Sequence, residues 1–367
     1  MNLFPELQKA YTDDKYTARE AQKMAEFIAF GPVVFQVAGI MLKRGILDLL
    51  RDNPGGMTCE ELVKATGMSK YAINVLTDSA LTIGIIIVDA KNDRFALSKV
   101  GMVLLIDPSI RINMNFNNDV NYEGFFHLEE ALDQGKPAGL KHFGDWPTIY
   151  EGLSQLPPKV QKSWFDFDHF YSDNSFNQAL EIVFKHHKTR SLFDVGGNTG
   201  RWAELCVGYD DKVEVTILDL PQQLEMMHKA VAGKKGSERI KGHAIDMLDR
   251  NEEFPLDPQL DAIWMSQFLD CFGEDEIVSI LSRAADAMND STRIYIMETL
   301  WDRQKYPTAA FCLTQISLYF TAMANGNSKM YHSDQMTELV ERSGLQVERI
   351  YDGLGWGHSM MVCKKNN

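Results

Sequence analysis

Positive charge is scarce in this sequence. Its 37 Lys and Arg stand against 51 Asp and Glu, a formal net charge of −14, so the chain lacks the cationic surplus with which proteins grip phosphate backbones. A general nucleic-acid binder is thereby disfavoured. Cysteine is also sparse: Cys59, Cys206, Cys271, Cys312 and Cys363 fall without any C-x-x-C spacing, so neither a disulfide framework nor a zinc site is expected, and no metal is assigned. A reducing cytoplasm fits that usage. Long apolar runs are missing too. The opening stretch MNLFPELQKAYTDDKYTAREAQ is polar, and the longest apolar run, from about Phe30 to Leu42, is too short and interrupted for a bilayer span. Neither secretion nor membrane insertion is expected, and the chain reads as cytoplasmic.

What is present is an ordinary globular composition, 45% hydrophobic and 24% charged over 367 residues, long enough to make two domains the sensible expectation. Residues 17 to 53 carry helical spacing, with Val34, Val37, Met41 and Leu42 on buried faces. Thr58 then stands as an N-cap with Glu61 at the capping-box position, Gly67 makes a turn, and a second helix from about Ser69 leads to strands around Ile85 to Val88 and Phe95 to Leu97. The pattern is a helix-turn-helix with a wing. From Met57 to Val100 the cations Lys64, Lys70, Lys91, Arg94 and Lys99 are matched by the anions Glu60, Glu61, Asp78, Asp89 and Asp93, and the second helix offers only Lys70 to a phosphate or base edge. Packing or dimerisation is favoured over DNA reading.

From Ser191 the rhythm becomes strand, helix, strand: SLFDV, KVEVTILDL, RIKGHAIDML, LDAIWMSQFL, STRIYIMETL, LQVERIYDG and HSMMVCKK. Such alternation implies an α/β domain with a doubly wound, mostly parallel sheet. The expected division is a helical, winged-helix domain over residues 1–104 and an α/β domain over 105–367, its helical segment 105–190 preceding a Rossmann-like core 191–367.

The glycine-rich turn after the first of these strands, DVGGNTG, is not a Walker loop, because no Lys-Ser/Thr follows Gly196 or Gly200 at the required distance. It is also a poor dinucleotide fingerprint, since counting from Gly196 puts Asn198 and Arg201 where glycines belong. What remains is Asp194, a tight turn through Gly196, Gly197, Asn198 and Gly200, and a helix start. Acidic or polar residues recur where the following strands end: Asp219, Asp246, Ser266 with Asp270 beyond it, and Glu298. All would lie along the carboxyl edge of the sheet, where ligands of doubly wound folds bind. An acidic rim suits a ligand with a ribose diol, an ammonium and a sulfonium but no phosphate, which describes S-adenosylmethionine.

On the stretches DVGGNTG, DLP at 219–221, IDML at 245–248, WMSQFLDCFGEDE from Trp264, and YIMETL, the chain resembles the caffeate-type small-molecule O-methyltransferases of plants and bacteria. The resemblance covers nearly the whole length. It implies a class I methyltransferase domain behind a winged-helix dimerisation domain, a homodimer whose N-terminal helices lie beside the partner's pocket, and S-adenosylmethionine as methyl donor. Gly196 and its neighbours would line the methionine moiety, Asp219 would bind the ribose hydroxyls, Asp246 and Met247 would flank the adenine, and Leu220, Ser266 and Gln267 complete the expected cofactor-binding set. Members of that family usually carry a catalytic His followed by Asp-Trp after the fourth strand. Here the equivalent positions are Asp270, Cys271 and Phe272, and Ser266 stands where a lysine often opens the motif. Glu298 matches one glutamate that supports the family histidine; the position of the second falls near Lys329 or Met330.

Three chemistries stay open. Methyl transfer is an in-line displacement, so holding donor and acceptor in line supplies much of the rate. In the first reading Asp270 is the base, its basicity raised by burial or by the charge of Glu298, the two carboxyls sharing a proton. In the second an imidazole serves, His169 before His332 or His358. In the third no base is needed, because the acceptor is already nucleophilic. Trp146, Phe165, Phe167, Phe170, Tyr319, Phe320 and Met323 are the candidate walls of a pocket for a planar aromatic or polyketide-like acceptor. Beside O-methylation stand N- or C-methylation, a non-methylating cofactor-binding relative, and a winged-helix transcriptional regulator.

Overall fold

The computed structural model describes residues 2–186 and 188–366. The chain folds as two units, Asp14–Asp119 and Met1–Asp13 with Val120–Asn367. The break lies beyond the expected 104 because Leu104, Leu105 and Met114 pack against the core of the first unit, which draws helices Lys99–Ile106 and Pro108–Phe116 into it. The opening residues go the other way. Phe4 donates its N–H to the Asp302 carbonyl and the Tyr11 hydroxyl donates to the Pro307 carbonyl.

In the first unit, the stretch expected to be helical is three helices, Ala18–Ala29, Gly31–Lys43 and Ile46–Asp52. Pro32 follows the first break, and Gly45 takes the left-handed conformation at the second, φ 69°. Thr58 caps helix Cys59–Thr66 reciprocally with Glu61, and Ser69 caps helix Lys70–Ile83. The wing is an antiparallel pair, β1 (Ile86–Asp89) and β2 (Arg94–Leu97). Met41, Ile46, Leu47, Leu62, Ile73 and Ile85 form its dry centre.

The second unit is built on a seven-stranded sheet: β3 (Ser191–Val195), β4 (Glu214–Asp219), β5 (Ile240–Ala244), β6 (Ala262–Ser266), β7 (Arg293–Glu298), β8 (Leu345–Leu354) and β9 (His358–Lys365), in the order β5-β4-β3-β6-β7-β9-β8. The first five run parallel, while β9 is antiparallel to β7 and β8 to β9. Because side chains alternate along a strand, each face has its own core. Phe193, Val195, Ile263, Met265, Ile294 and Ile296 meet helices Glu274–Ala287 and Ser333–Arg342 on one side. Leu192, Trp264, Tyr295 and Met297 meet helices Phe176–His186, Arg201–Tyr209 and Pro221–Val231 on the other. There Trp202 stacks on Trp264 with centroids 4.0 Å apart. The strand order reverses between β3 and β6, opening a crevice above their carboxyl ends.

The Thr58 cap gives a direct check on the first unit. Its Oγ1 accepts from the Glu61 N–H at 3.3 Å and its own N–H donates to Glu61 Oε2 at 2.8 Å. Thr58→Ala is expected to cost about 1 kcal/mol, read as a lower urea midpoint; an unchanged midpoint would show that the box adds nothing.

Candidate active site

After Asp194 and Val195 the chain turns over Gly196, Gly197, Asn198 and Gly200 into helix Arg201–Tyr209. Gly196, Asn198 and Gly200 all have positive φ, 70°, 50° and 83°, and asparagine tolerates that region better than most side chains. At Gly196 the requirement is double, since a Cβ there would come within 2.3 Å of the Phe268 ring. The Gly196 N–H donates to the Leu218 carbonyl at 2.9 Å, and the Asn198 N–H to Asp219 Oδ2 at 2.9 Å. Leu220 donates its N–H to Asp219 Oδ1 at 2.8 Å. Turn and strand end are therefore one hydrogen-bonded structure.

Several polar atoms on this edge have no partner. Asp194 Oδ2, Asn198 Oδ1, Ser266 Oγ and Gln267 Oε1 are buried and make no hydrogen bond; Gln267 is held at φ 45°, with its N–H on the Met297 carbonyl at 2.9 Å. Burial first, and the charge of Asp219 second, push the Asp194 carboxyl up to about 8. Burial also raises Asp219, against the pull of the N–H groups of Asn198 and Leu220. Among the described residues no cation acts on either carboxyl. Orphaned acceptors beside an uncompensated carboxyl pair suit a ligand that brings positive charge and hydrogen-bond donors, and offer nothing to a phosphate.

Of the residues expected beside an adenine, Asp246 lies beyond the end of its strand. β5 stops at Ala244, two residues short of Asp246, which lies exposed in the following turn with its Oδ1 accepting from the Leu248 N–H at 2.9 Å. Met247 is turned into the sheet's core. Arg283, which the sequence did not single out, ties this turn down by donating to the carbonyls of Met247, Asp249 and Glu252.

A second acidic pair follows β6 and β7. Glu298, 3% exposed, ends β7; its Oε1 accepts from the N–H groups of Phe268 and Leu269 at 3.1 and 2.9 Å, while Oε2 has no partner. It thus supports the backbone that carries Asp270, rather than a histidine ring. Asp270, 4% exposed, accepts from the Cys271 thiol at 3.5 Å. Burial pushes Asp270 up to about 7, eased by the Cys271 hydrogen bond and reinforced by the charge of Asp168. Glu298 is held well above the usual carboxyl range by burial and then by Asp270. Around the pair stand Tyr150 and Tyr319, whose hydroxyls burial keeps protonated; Trp164 Nε1 donates to the Tyr319 hydroxyl at 2.7 Å. Tyr150, Trp164 and Asp168 escaped the sequence reading, the last two within the aromatic-rich stretch KSWFDFDHFYSDNSF.

The three histidines divide clearly. His169, on helix Pro158–Ser172, sits with Nδ1 3.6 Å from Asp168 Oδ2 and its ring stacked on Phe165; the charge that reaches Asp270 from this helix is that of Asp168. His332 caps helix Ser333–Arg342, its Nδ1 accepting from the Asp334 N–H at 3.0 Å. His358 is fully buried at the start of β9, and burial lowers its pKa to about 4. Where the family's second glutamate would fall, Met330 accepts from the Thr299 hydroxyl at 3.3 Å.

Among the candidate wall residues, Trp146 is wedged between Gly144 and Gly152, where any Cβ would strike its ring. Phe165 and Phe170 remain partly exposed, Phe170 against Trp356 with centroids 5.5 Å apart. Phe320 is buried beside Tyr319. Met323 is a packing residue: it is fully buried, with its sulfur where a Cβ on Gly124 would go.

Residues 22–95 match the model of the Dimerisation2-like domain, and residues 128–346, more than half of the chain, match that of the O-methyltransferase domain. The chain is 23% identical over 346 residues to the L-tyrosine C(3)-methyltransferase of Streptomyces lavendulae, covering 92% of each. It is 21% identical over 315 residues to the mitomycin biosynthesis 6-O-methyltransferase of the same organism, covering 84% of this chain and 85% of that one. Its fold is similar to that of the S-adenosylmethionine-dependent methyltransferase SibL, with a TM-score of 0.68 at 21% identity over 93% of this chain and 98% of that one.

Gly196→Ala tests the turn. The left-handed backbone alone is expected to cost about 1–2 kcal/mol, and displacement of Phe268 adds to that, so the urea midpoint of the α/β unit should fall. A midpoint equal to the wild type would mean that the turn is not held as described.

Proposed function

The chain belongs to the O-methyltransferase domain family, and on that premise we propose that it transfers the methyl group of S-adenosylmethionine to a hydroxyl of a small aromatic or polyketide-like acceptor. The observation that carries this reading is the acid edge at Asp194 and Asp219, where Asp194 Oδ2 and Asn198 Oδ1 are buried without a partner. When bound there, the donor supplies an electrophilic methyl on a cationic sulfur. The chain's own part is to hold and to exclude water. Gly196, Gly197 and Gly200 allow backbone to approach the amino-acid end, with Asp194, Ser266 and Gln267 offering acceptors and a hydroxyl. Asp219, fixed by the N–H groups of Asn198 and Leu220, keeps oxygen lone pairs for the ribose diol. Asp246 and Met247 flank the adenine, the first through its exposed carboxylate and the second through the backbone pinned by Arg283.

Asp270 is the general base of this reading. With its carboxyl pushed up to about 7, it is better matched to a phenol than an ordinary carboxylate. Glu298 positions it through the N–H groups of Phe268 and Leu269. His169 stays as the comparison, since its neighbour Asp168 acts on the same group. Transfer to a ring carbon is a second reading, favoured by the relative named for C(3) methylation of L-tyrosine.

A homodimer formed through residues 22–95 and a cytoplasmic location complete the proposal. The first is supported by the Dimerisation2-like match and by Phe27, Ile28, Phe30 and Val33, large apolar side chains left exposed on the first unit. The second is supported by five cysteines that are all unpaired.

Turnover of a phenolic acceptor should rise as pH passes through about 7, because the base acts only once its raised carboxyl has lost its proton. Asp270→Asn should lower kcat by at least about a hundredfold and abolish that rise while leaving the affinity for S-adenosylmethionine within about threefold; His169→Gln should keep the profile. Equal losses of turnover and donor affinity in Asp270→Asn would contradict the role. Mass and NMR analysis of the methylated product separates oxygen from carbon transfer.

A further inference from the structure

We infer that Phe268 is a positioning residue: its ring makes the loop that carries Asp270 depend on what fills the glycine-rich turn. The inference rests on the methyltransferase reading and adds to it a link between donor binding and the placing of the base.

The loop from Gln267 to Phe272 holds itself poorly. Gln267 opens it in the left-handed region, at φ 45°, a conformation that a residue with a side chain keeps only when its surroundings impose it. Asp270 then sits in the middle of a single 3₁₀ turn, Leu269–Cys271. That turn is closed by the N–H groups of Cys271 and Phe272, which donate to the carbonyls of Phe268 and Leu269, both at 3.1 Å. One such turn has too few hydrogen bonds, of too poor a geometry, to be stable alone. Its placing comes from outside.

Three of the outside ties hold the backbone and do not touch the glycine-rich turn. Glu298 Oε1 accepts from the N–H groups of Phe268 and Leu269. Asn325 Nδ2 donates to the Cys271 carbonyl at 2.5 Å, and the Tyr331 hydroxyl donates to the Phe272 carbonyl at 2.7 Å. The ring of Phe268 is the fourth tie, and it does reach the turn. It lies on Gly196, where a Cβ would come within 2.3 Å of it, and it meets the Phe272 ring with centroids 4.8 Å apart. Although it packs against the sheet's core, the ring is only half-buried, so apolar surface remains to be covered. A donor whose methionine end lies along Gly196 covers it, and that burial favours one joint placement of ring, turn and loop over the others the loop can adopt. Filling the turn thus fixes the loop on which Asp270 is carried.

Hydrogen exchange on the full-length protein, with S-adenosylhomocysteine as the probe of the donor site, tests this. Each protein is loaded at about a hundred times its own measured Kd, where an opening that must expel the ligand slows by up to about a hundredfold. In the wild type, peptides over the turn, 196–201, and over the loop, 268–272, should both slow by at least about tenfold. In Phe268→Ala, and in Phe268→Leu, which keeps apolar volume but lays no flat ring on Gly196, the turn should stay protected while the slowing of the loop shrinks below about threefold. A ring that merely filled space would change exchange with and without the ligand alike, leaving that ratio as it is in the wild type. A loop that is not slowed in the wild type while the turn is, or one slowed equally in the wild type and in both variants, overturns the inference. Failure of the wild-type protein to bind S-adenosylhomocysteine would instead overturn the methyltransferase reading.

Discussion

Buried carboxyl groups without cations are the constraint around which this molecule is organised. Asp194 is the last residue but one of β3, Asp219 and Glu298 end β4 and β7, and Asp270 lies one turn beyond β6. A protein interior does not hold such groups ionised unless something repays the lost hydration. Here the repayment is partial: backbone N–H groups reach Asp219 and one oxygen of Glu298. The remainder leaves Asp194 at about 8 and Asp270 at about 7. Both stand ready to give up a proton when positive charge arrives.

The fold makes this arrangement affordable in structural terms. The central strands β3, β4, β6 and β7 bury apolar side chains on both faces, so their acidic groups gather towards the carboxyl ends. The left-handed turn residues Gly196, Asn198 and Gly200 let the backbone bend sharply over that edge. Phe268, lying against Gly196, joins the glycine-rich turn to the loop that carries Asp270. A change at either end of that contact therefore reaches the other.

Much of this was legible in the sequence because strands advertise their ends. Asp219, Ser266 and Glu298 close alternating apolar runs, and each is the last residue of its strand. Asp246 closed a similar run, yet β5 stops at Ala244. The extent of the first unit was hard to read for a related reason: helical periodicity in residues 99–116 reveals a buried face but not which core it joins. The surroundings of Asp270 were the least legible. Tyr150, Trp164, Asp168 and Tyr319 come from segments far apart in the chain, and only packing brings them to one place. Met323 illustrates the converse, an apolar residue that fits a pocket by type and is fixed by Gly124 instead.

The most direct measurement is calorimetric titration of S-adenosylmethionine near neutral pH in two buffers of different ionisation enthalpy. Arrival of a cation beside Asp194 must lower a carboxyl that rests at about 8, so binding should release protons and the apparent heat should change with the buffer. Heat that does not depend on the buffer, or no heat at all while a phosphate-bearing coenzyme binds, would contradict the account.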